Sequence, residues 1–115
     1  MDERTFKRDI FDILHILSSN DNLSQRELSK HLNLSLGKIN YLLKSLIKKG
    51  LLEMKHFTVR DQKIKKIQYR LTKKGLKERI NLTYHFLKER EAEYSYLKKQ
   101  WKKLNVGVEQ SYHEV

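Results

Sequence analysis

Apolar residues recur along the first half of the chain at helical spacing. In residues 4–18, Phe6, Ile10, Ile13, Leu14 and Leu17 share one stripe, which predicts a first helix. The SSNDN stretch at 18–22 closes it in a polar turn. Ser24, with Glu27 three positions on, reads as a capping box that starts a second helix with Leu28 and Leu32 on its core face. That helix is short, because Asn33 tolerates the left-handed geometry of a C-cap and Ser35 immediately recaps. A third helix is expected over 36–49, buried along Ile39, Leu42, Leu43 and Leu46. Lys48 and Lys49 suit the negative end of its dipole, and Gly50 stops it.

The period then changes. In LLEMKHF (51–57) and KIQYRL (66–71) apolar and polar residues roughly alternate, with Ile67, Tyr69 and Leu71 on one face. Two antiparallel strands follow, joined by the basic loop TVRDQKIK at 58–65. Helical patterning resumes at Thr72 and lasts to about Leu104, a span of roughly 50 Å at 1.5 Å per residue. The remaining NVGVEQSYHEV has no pattern and is expected to fray. The fold class is mainly α with a small β-hairpin. Residues 1–71 read as a winged helix-turn-helix, 72–104 as a long helix and 105–115 as a flexible tail.

Charge changes the picture more than composition does. The net charge is +11, yet residues 24–79 hold sixteen basic and four acidic side chains, so the middle carries the whole excess. A segment so unbalanced repels itself unless an anion compensates, which points to nucleic acid. The chain has no cysteine, which fits a reducing compartment, and no apolar run near the ~18 residues of a membrane span. Asp2 and Glu3 stand where a signal peptide has basic residues, so a cytoplasmic protein is expected.

In a helix-turn-helix the second helix of the pair enters the major groove. Here that helix presents Gly37, Lys38, Asn40, Tyr41, Lys44 and Ser45 outward, with Leu36 at the leading edge and Ser35 as N-cap. Asn40 can pair with adenine, Lys38 or Lys44 with guanine or a phosphate, and Tyr41 with the backbone. Ser35 places free N–H groups where a phosphate can dock. Gly37 costs a first turn roughly 1 kcal/mol against alanine. Its absent side chain would let the backbone approach DNA closely. At the hairpin tip, Arg60, Gln62, Lys63 and Lys65 form a wing able to reach the minor groove. Ser24, Arg26 and Lys30 on the second helix are phosphate contacts, which set register and salt dependence.

In the last helix, Leu76, Ile80, Thr83, Leu87, Arg90, Tyr94, Leu97, Trp101 and Leu104 alternate spacings of four and three, a heptad seam. Leu82, Phe86 and Tyr96 widen it. Some of Leu76 to Ile80 is expected to pack on the first helix. Leu87, Tyr94, Leu97, Trp101 and Leu104 would stay in water unless a second copy covered them, so a homodimer is expected, parallel or antiparallel. The five histidines (15, 31, 56, 85, 113) are scattered, and His85 with Glu89 alone does not make a metal site. No enzyme activity, metal or cofactor is expected. A protein-interaction adaptor and a nonspecific architectural DNA-binding protein are the competing readings of the same charge and seam.

The stretch LSQRELSKHLNLSLGKINYLLKSLIKKGLL (23–52) resembles the MarR-type winged-helix transcriptional regulators, and LTKKG (71–75) is similar to their strand-to-helix junction. SLGKINYLLKSLIKKG together with LTYHFLKEREAEY (82–94) is similar to a small exopolysaccharide-associated subgroup. The resemblance covers residues 10–100. It implies a cytoplasmic bacterial DNA-binding regulator of surface-polysaccharide genes, with Ser35 to Lys38, Asn40, Tyr41 and Lys44 as the reading set and the 58–65 loop as the wing. The family commonly dimerises through a longer first helix and two last ones and binds phenolic or other small ligands between its dimer and DNA domains. This chain has a short first helix and a single last one, and no small-molecule ligand is expected.

Overall fold

A computed structural model describes residues 3–20, 22–59 and 64–113, with side chains at all of these except 4, 56–59, 64–66 and 107–113. The element order is α1 (Glu3–Ser19), α2 (Gln25–Leu32), α3 (Leu36–Lys48), β1 (Leu52–Val59), β2 (Ile64–Leu71) and α4 (Lys73–His113). Helix, helix, helix, hairpin and long helix follow one another as the periodicity requires.

The core is built from the stripes the sequence presents. Ile13, Leu14 and Leu17 of α1, Leu28 of α2, and Ile39, Leu42, Leu43 and Leu46 of α3 are almost completely buried. Each such side chain contributes on the order of 2–3 kcal/mol through removal from water. The hairpin closes one side. β1 and β2 pair antiparallel from Leu52↔Leu71 to Val59↔Ile64, and Glu53 and Arg70 form an ion pair across the register. Leu23 adds a bridge to Tyr69: the Tyr69 N–H donates to the Leu23 carbonyl at 3.0 Å, and the Asn22 N–H to the Tyr69 carbonyl at 3.1 Å. Burial pushes the Tyr69 phenol pKa up from its ordinary value.

Three boundaries differ from the sequence reading. The strands run further than 57 and start earlier than 66, so Thr58, Val59, Ile64 and Lys65 belong to the ladder rather than to a 58–65 loop. Backbone N–H and C=O groups pair whatever side chains they carry, so the ladder continues into a stretch whose composition reads as a basic loop. The third helix ends at Lys48, with Lys49 as its C-cap and Gly50 at φ +76°. α4 continues to His113 instead of stopping near Leu104. The tail holds no proline, and Gly107 weakens a helix without terminating it.

The chain forms two compact units, Met1–Leu82 and Thr83–Val115. The first therefore takes in the start of α4, past the expected limit at residue 71. Its packing explains the LTKKG junction. The Thr72 hydroxyl accepts from the Gly75 N–H at 3.0 Å and donates to the Gly50 carbonyl at 2.6 Å. Lys74 Nζ reaches the Lys49 carbonyl at 2.9 Å. A Cβ on Gly75 would stand 2.1 Å from the Leu51 carbonyl oxygen, so only glycine fits. Leu82 is buried, and Arg79 lies 3.3 Å from His15, whereas Leu76 and Ile80 are exposed. The face of α4 that packs is thus the one bearing Gly75 and Leu82, not the seam expected from Leu76 to Ile80. In the second unit the described residues are mostly exposed, including Leu87, Tyr94, Leu97, Trp101 and Leu104.

Candidate nucleic-acid interface

The turn between α2 and α3 is fixed by its own polar groups. Ser24 Oγ accepts from the Glu27 N–H at 3.2 Å while the Glu27 carboxylate accepts from the Ser24 N–H at 3.3 Å, completing the capping box. Asn33 takes the left-handed conformation at φ 54°, ending α2. The Ser29 hydroxyl donates to the Leu34 carbonyl, and the Leu34 N–H to the Ser29 carbonyl. The Gln25 amide donates to the Leu36 carbonyl at 3.1 Å. This last contact escaped the sequence reading. A glutamine directly after an N-cap has no periodic signature, and its partner lies across the turn.

α3 then starts at an N-cap. Ser35 Oγ accepts from the Lys38 N–H at 3.1 Å, and the first intrahelical bond runs from the Ile39 N–H to the Ser35 carbonyl. No described residue takes the N–H groups of Leu36 and Gly37, which are left as open donors at the positive end of the helix. Nothing lies within 4 Å of a Cβ built on Gly37, so the fold itself does not demand glycine there.

The remaining reading-set side chains divide by exposure. Ser35, Leu36, Tyr41 and Lys44 are exposed, with Tyr41 at 60%; Asn40 and Ser45 are half-buried. Lys38 departs from the expected outward position. Its ammonium turns back to α1 and stands 2.8 Å from Asp9 Oδ2, in an ion pair without hydrogen-bond alignment. Asp9 is the buried charged residue among those described, so Lys38 neutralises a carboxylate that would otherwise be stranded in low dielectric. Lys38 is accordingly a structural cation, and Lys44 and Lys48 are exposed lysines of α3.

On α2, Arg26 and Lys30 are exposed. The Ser24 oxygen is engaged as an acceptor in its cap, leaving its hydroxyl proton for an outside acceptor. Arg60, Gln62 and Lys63 lie outside the described residues, and Lys65 is placed by its backbone in β2, opposite Thr58. Elsewhere, His85 and Glu89 form an i,i+4 pair at 3.3 Å. Among the described residues no three potential metal ligands cluster, and no helix is long and apolar enough to cross a membrane.

Residues 10–53 match the family model described as winged helix-turn-helix DNA-binding. Fold and match together define a winged helix-turn-helix followed by a long C-terminal helix. The same fold is found in solved transcriptional regulators. A PadR-like regulator from Bacillus cereus is 26% identical, with a TM-score of 0.68 over 76% of this chain and 89% of its own. MepR of Staphylococcus aureus, a regulator of a multidrug efflux pump, is 22% identical, with a TM-score of 0.62 over 90% of this chain and 76% of its own. The PcaV regulator of Streptomyces coelicolor is 20% identical, with a TM-score of 0.63 over 73% of this chain. The present chain spans 60% of PcaV. No curated protein sequence matches the chain.

Proposed function

We propose that this protein is a dimeric, sequence-specific DNA-binding regulator of transcription, of the MarR type. α3 lies in the major groove, the hairpin wing rests on the backbone or in the minor groove, and α2 holds a phosphate through Ser24, Arg26 and Lys30. The observation that carries the reading is the outer face of α3. It combines open N–H donors at Leu36 and Gly37 with exposed Tyr41 and Lys44, inside a segment with sixteen basic and four acidic side chains. Asn40 supplies the amide that can pair with adenine. Ser45 flanks Tyr41 and Lys44 on the same face.

A second copy covers the apolar face at Leu87, Tyr94, Leu97, Trp101 and Leu104, and the resulting two-fold axis suits a palindromic site. The resemblance of SLGKINYLLKSLIKKG and LTYHFLKEREAEY to the exopolysaccharide-associated subgroup makes surface-polysaccharide genes the proposed targets. The reading includes no catalytic step and no small-molecule inducer.

Salt-dependent shift assays on genomic fragments test it. A regulator prefers one class of fragment over random DNA by about 10³-fold or more. Equal affinity for every fragment would make the protein architectural, and no affinity for DNA would leave a protein-interaction adaptor.

A further inference from the structure

The unpaired face of the second unit has a self-complementarity that fixes how two copies meet. Leu87, Arg90, Tyr94, Leu97, Trp101 and Leu104 continue the alternation of four and three, and the five large side chains among them are each more than half exposed. Solvated apolar faces of this extent mark contact surfaces. Resting on the dimer reading above, we propose that the occupant is a second copy of α4 running antiparallel. Leu87 then packs against the partner's Leu104, Arg90 against the partner's Trp101, and Tyr94 against the partner's Leu97.

Charge selects this arrangement from its rivals. In a parallel, in-register pair Arg90 would face its own copy inside the seam, two guanidinium groups in a place where desolvation magnifies repulsion. In the antiparallel pair the same guanidinium lies over an indole, the strongest aromatic partner for a cation. The flanking positions agree. Glu91 falls beside the partner's Lys98 on both sides of the two-fold axis, and Glu93 beside the partner's Gln100. Sliding the antiparallel register by one heptad in one direction sets Glu91 against Glu91 and Glu93 against Glu93. Sliding it in the other sets Lys98 against Lys98. Among the described residues, Arg90 of the single chain contacts Glu93 alone, exposed and at 3.2 Å, and pairs of that kind contribute little, so the cost of redirecting Arg90 is small.

The absence of cysteine makes the test clean. Full-length Leu87→Cys and Leu104→Cys variants are oxidised separately and as an equilibrated mixture. Positions 87 and 104 are about 25 Å apart along one helix, beyond any intramolecular bridge. The antiparallel register predicts covalent dimers in the mixture, joined 87 to 104, and none in either variant alone. Bridging of each variant to itself would overturn the orientation while keeping the dimer. A dimer by sedimentation that forms no bridge in either condition would also overturn it, by placing the interface elsewhere. A monomer by sedimentation for the unmodified protein would remove the dimer reading itself. Trp101 gives an independent readout, being the one tryptophan of the chain. Arg90→Ala shifts its emission in the dimer, since within one chain Arg90 and Trp101 are about 16 Å apart along the helix. Emission unchanged in a dimeric Arg90→Ala variant would contradict the pairing.

Discussion

Three small residues separate what the fold needs from what a ligand needs. Gly75 belongs to the fold: any side chain there meets the Leu51 carbonyl. Gly75→Ala is expected to lower stability by roughly 1–3 kcal/mol, as overpacking against backbone does, which thermal unfolding reads directly. Gly37 is the opposite case. Its surroundings are open, so Gly37→Ala is expected to raise helix stability by up to about 1 kcal/mol while weakening DNA binding. Stability and affinity moving up together would remove the close-approach explanation of that glycine. Ser35 links the two roles, since its oxygen caps α3 at the proposed groove-facing end. Lys38 completes the residue scale. Lys38→Met strands the Asp9 carboxylate and should cost about 1–3 kcal/mol. Asp9→Asn in the same chain should restore part of that loss, and a double variant no more stable than Lys38→Met would mean the ion pair contributes nothing. Sequence alone assigned Lys38 to DNA because its partner sits on another helix, and helical spacing carries no information about contacts between elements.

At the scale of elements, what was legible depended on whether local rules determined the outcome. The capping box at Ser24 and Glu27, the left-handed Asn33 and the recapping Ser35 are local chemistry, and the helix-turn-helix follows from them. The buried stripe of α3 is likewise periodic and was readable in full. The hairpin was readable as a hairpin but not in its length, because the ladder extends through Thr58, Val59, Ile64 and Lys65 by backbone pairing, which does not depend on side-chain type. α4 was underestimated at its end and misassigned at its beginning. Its packed face at Gly75 and Leu82 is set by the Thr72 cap and the Leu51 backbone, which no heptad count reports. A cap prediction belongs here. Ser35→Ala should destabilise the first unit by about 1 kcal/mol, while Ser35→Asp should largely preserve it. The same Asp should weaken binding to DNA, by placing an anion where a phosphate is expected. Undiminished affinity in that variant would move the phosphate away from the start of α3.

For the whole molecule, the distribution of charge is the feature that ties fold to function. The excess of positive charge lies in residues 24–79, which carry α2, α3, the hairpin and the start of α4, while the second unit is nearly balanced and offers an apolar face instead. One part is thereby suited to a polyanion and the other to a copy of itself. A strong fall of affinity with salt is expected from the first part, and a dependence of affinity on protein concentration from the second. Whether α3 reads sequence, rather than merely resting on phosphates, is the central claim. It is tested most directly by the base-by-base binding profile of Asn40→Ala against the unmodified protein, on the DNA the protein retains from genomic fragments. The account predicts that discrimination at one base pair of each half-site falls by about 1–3 kcal/mol while the rest of the profile stays in place. A uniform loss at all positions, or a profile identical to that of the unmodified protein, would contradict it.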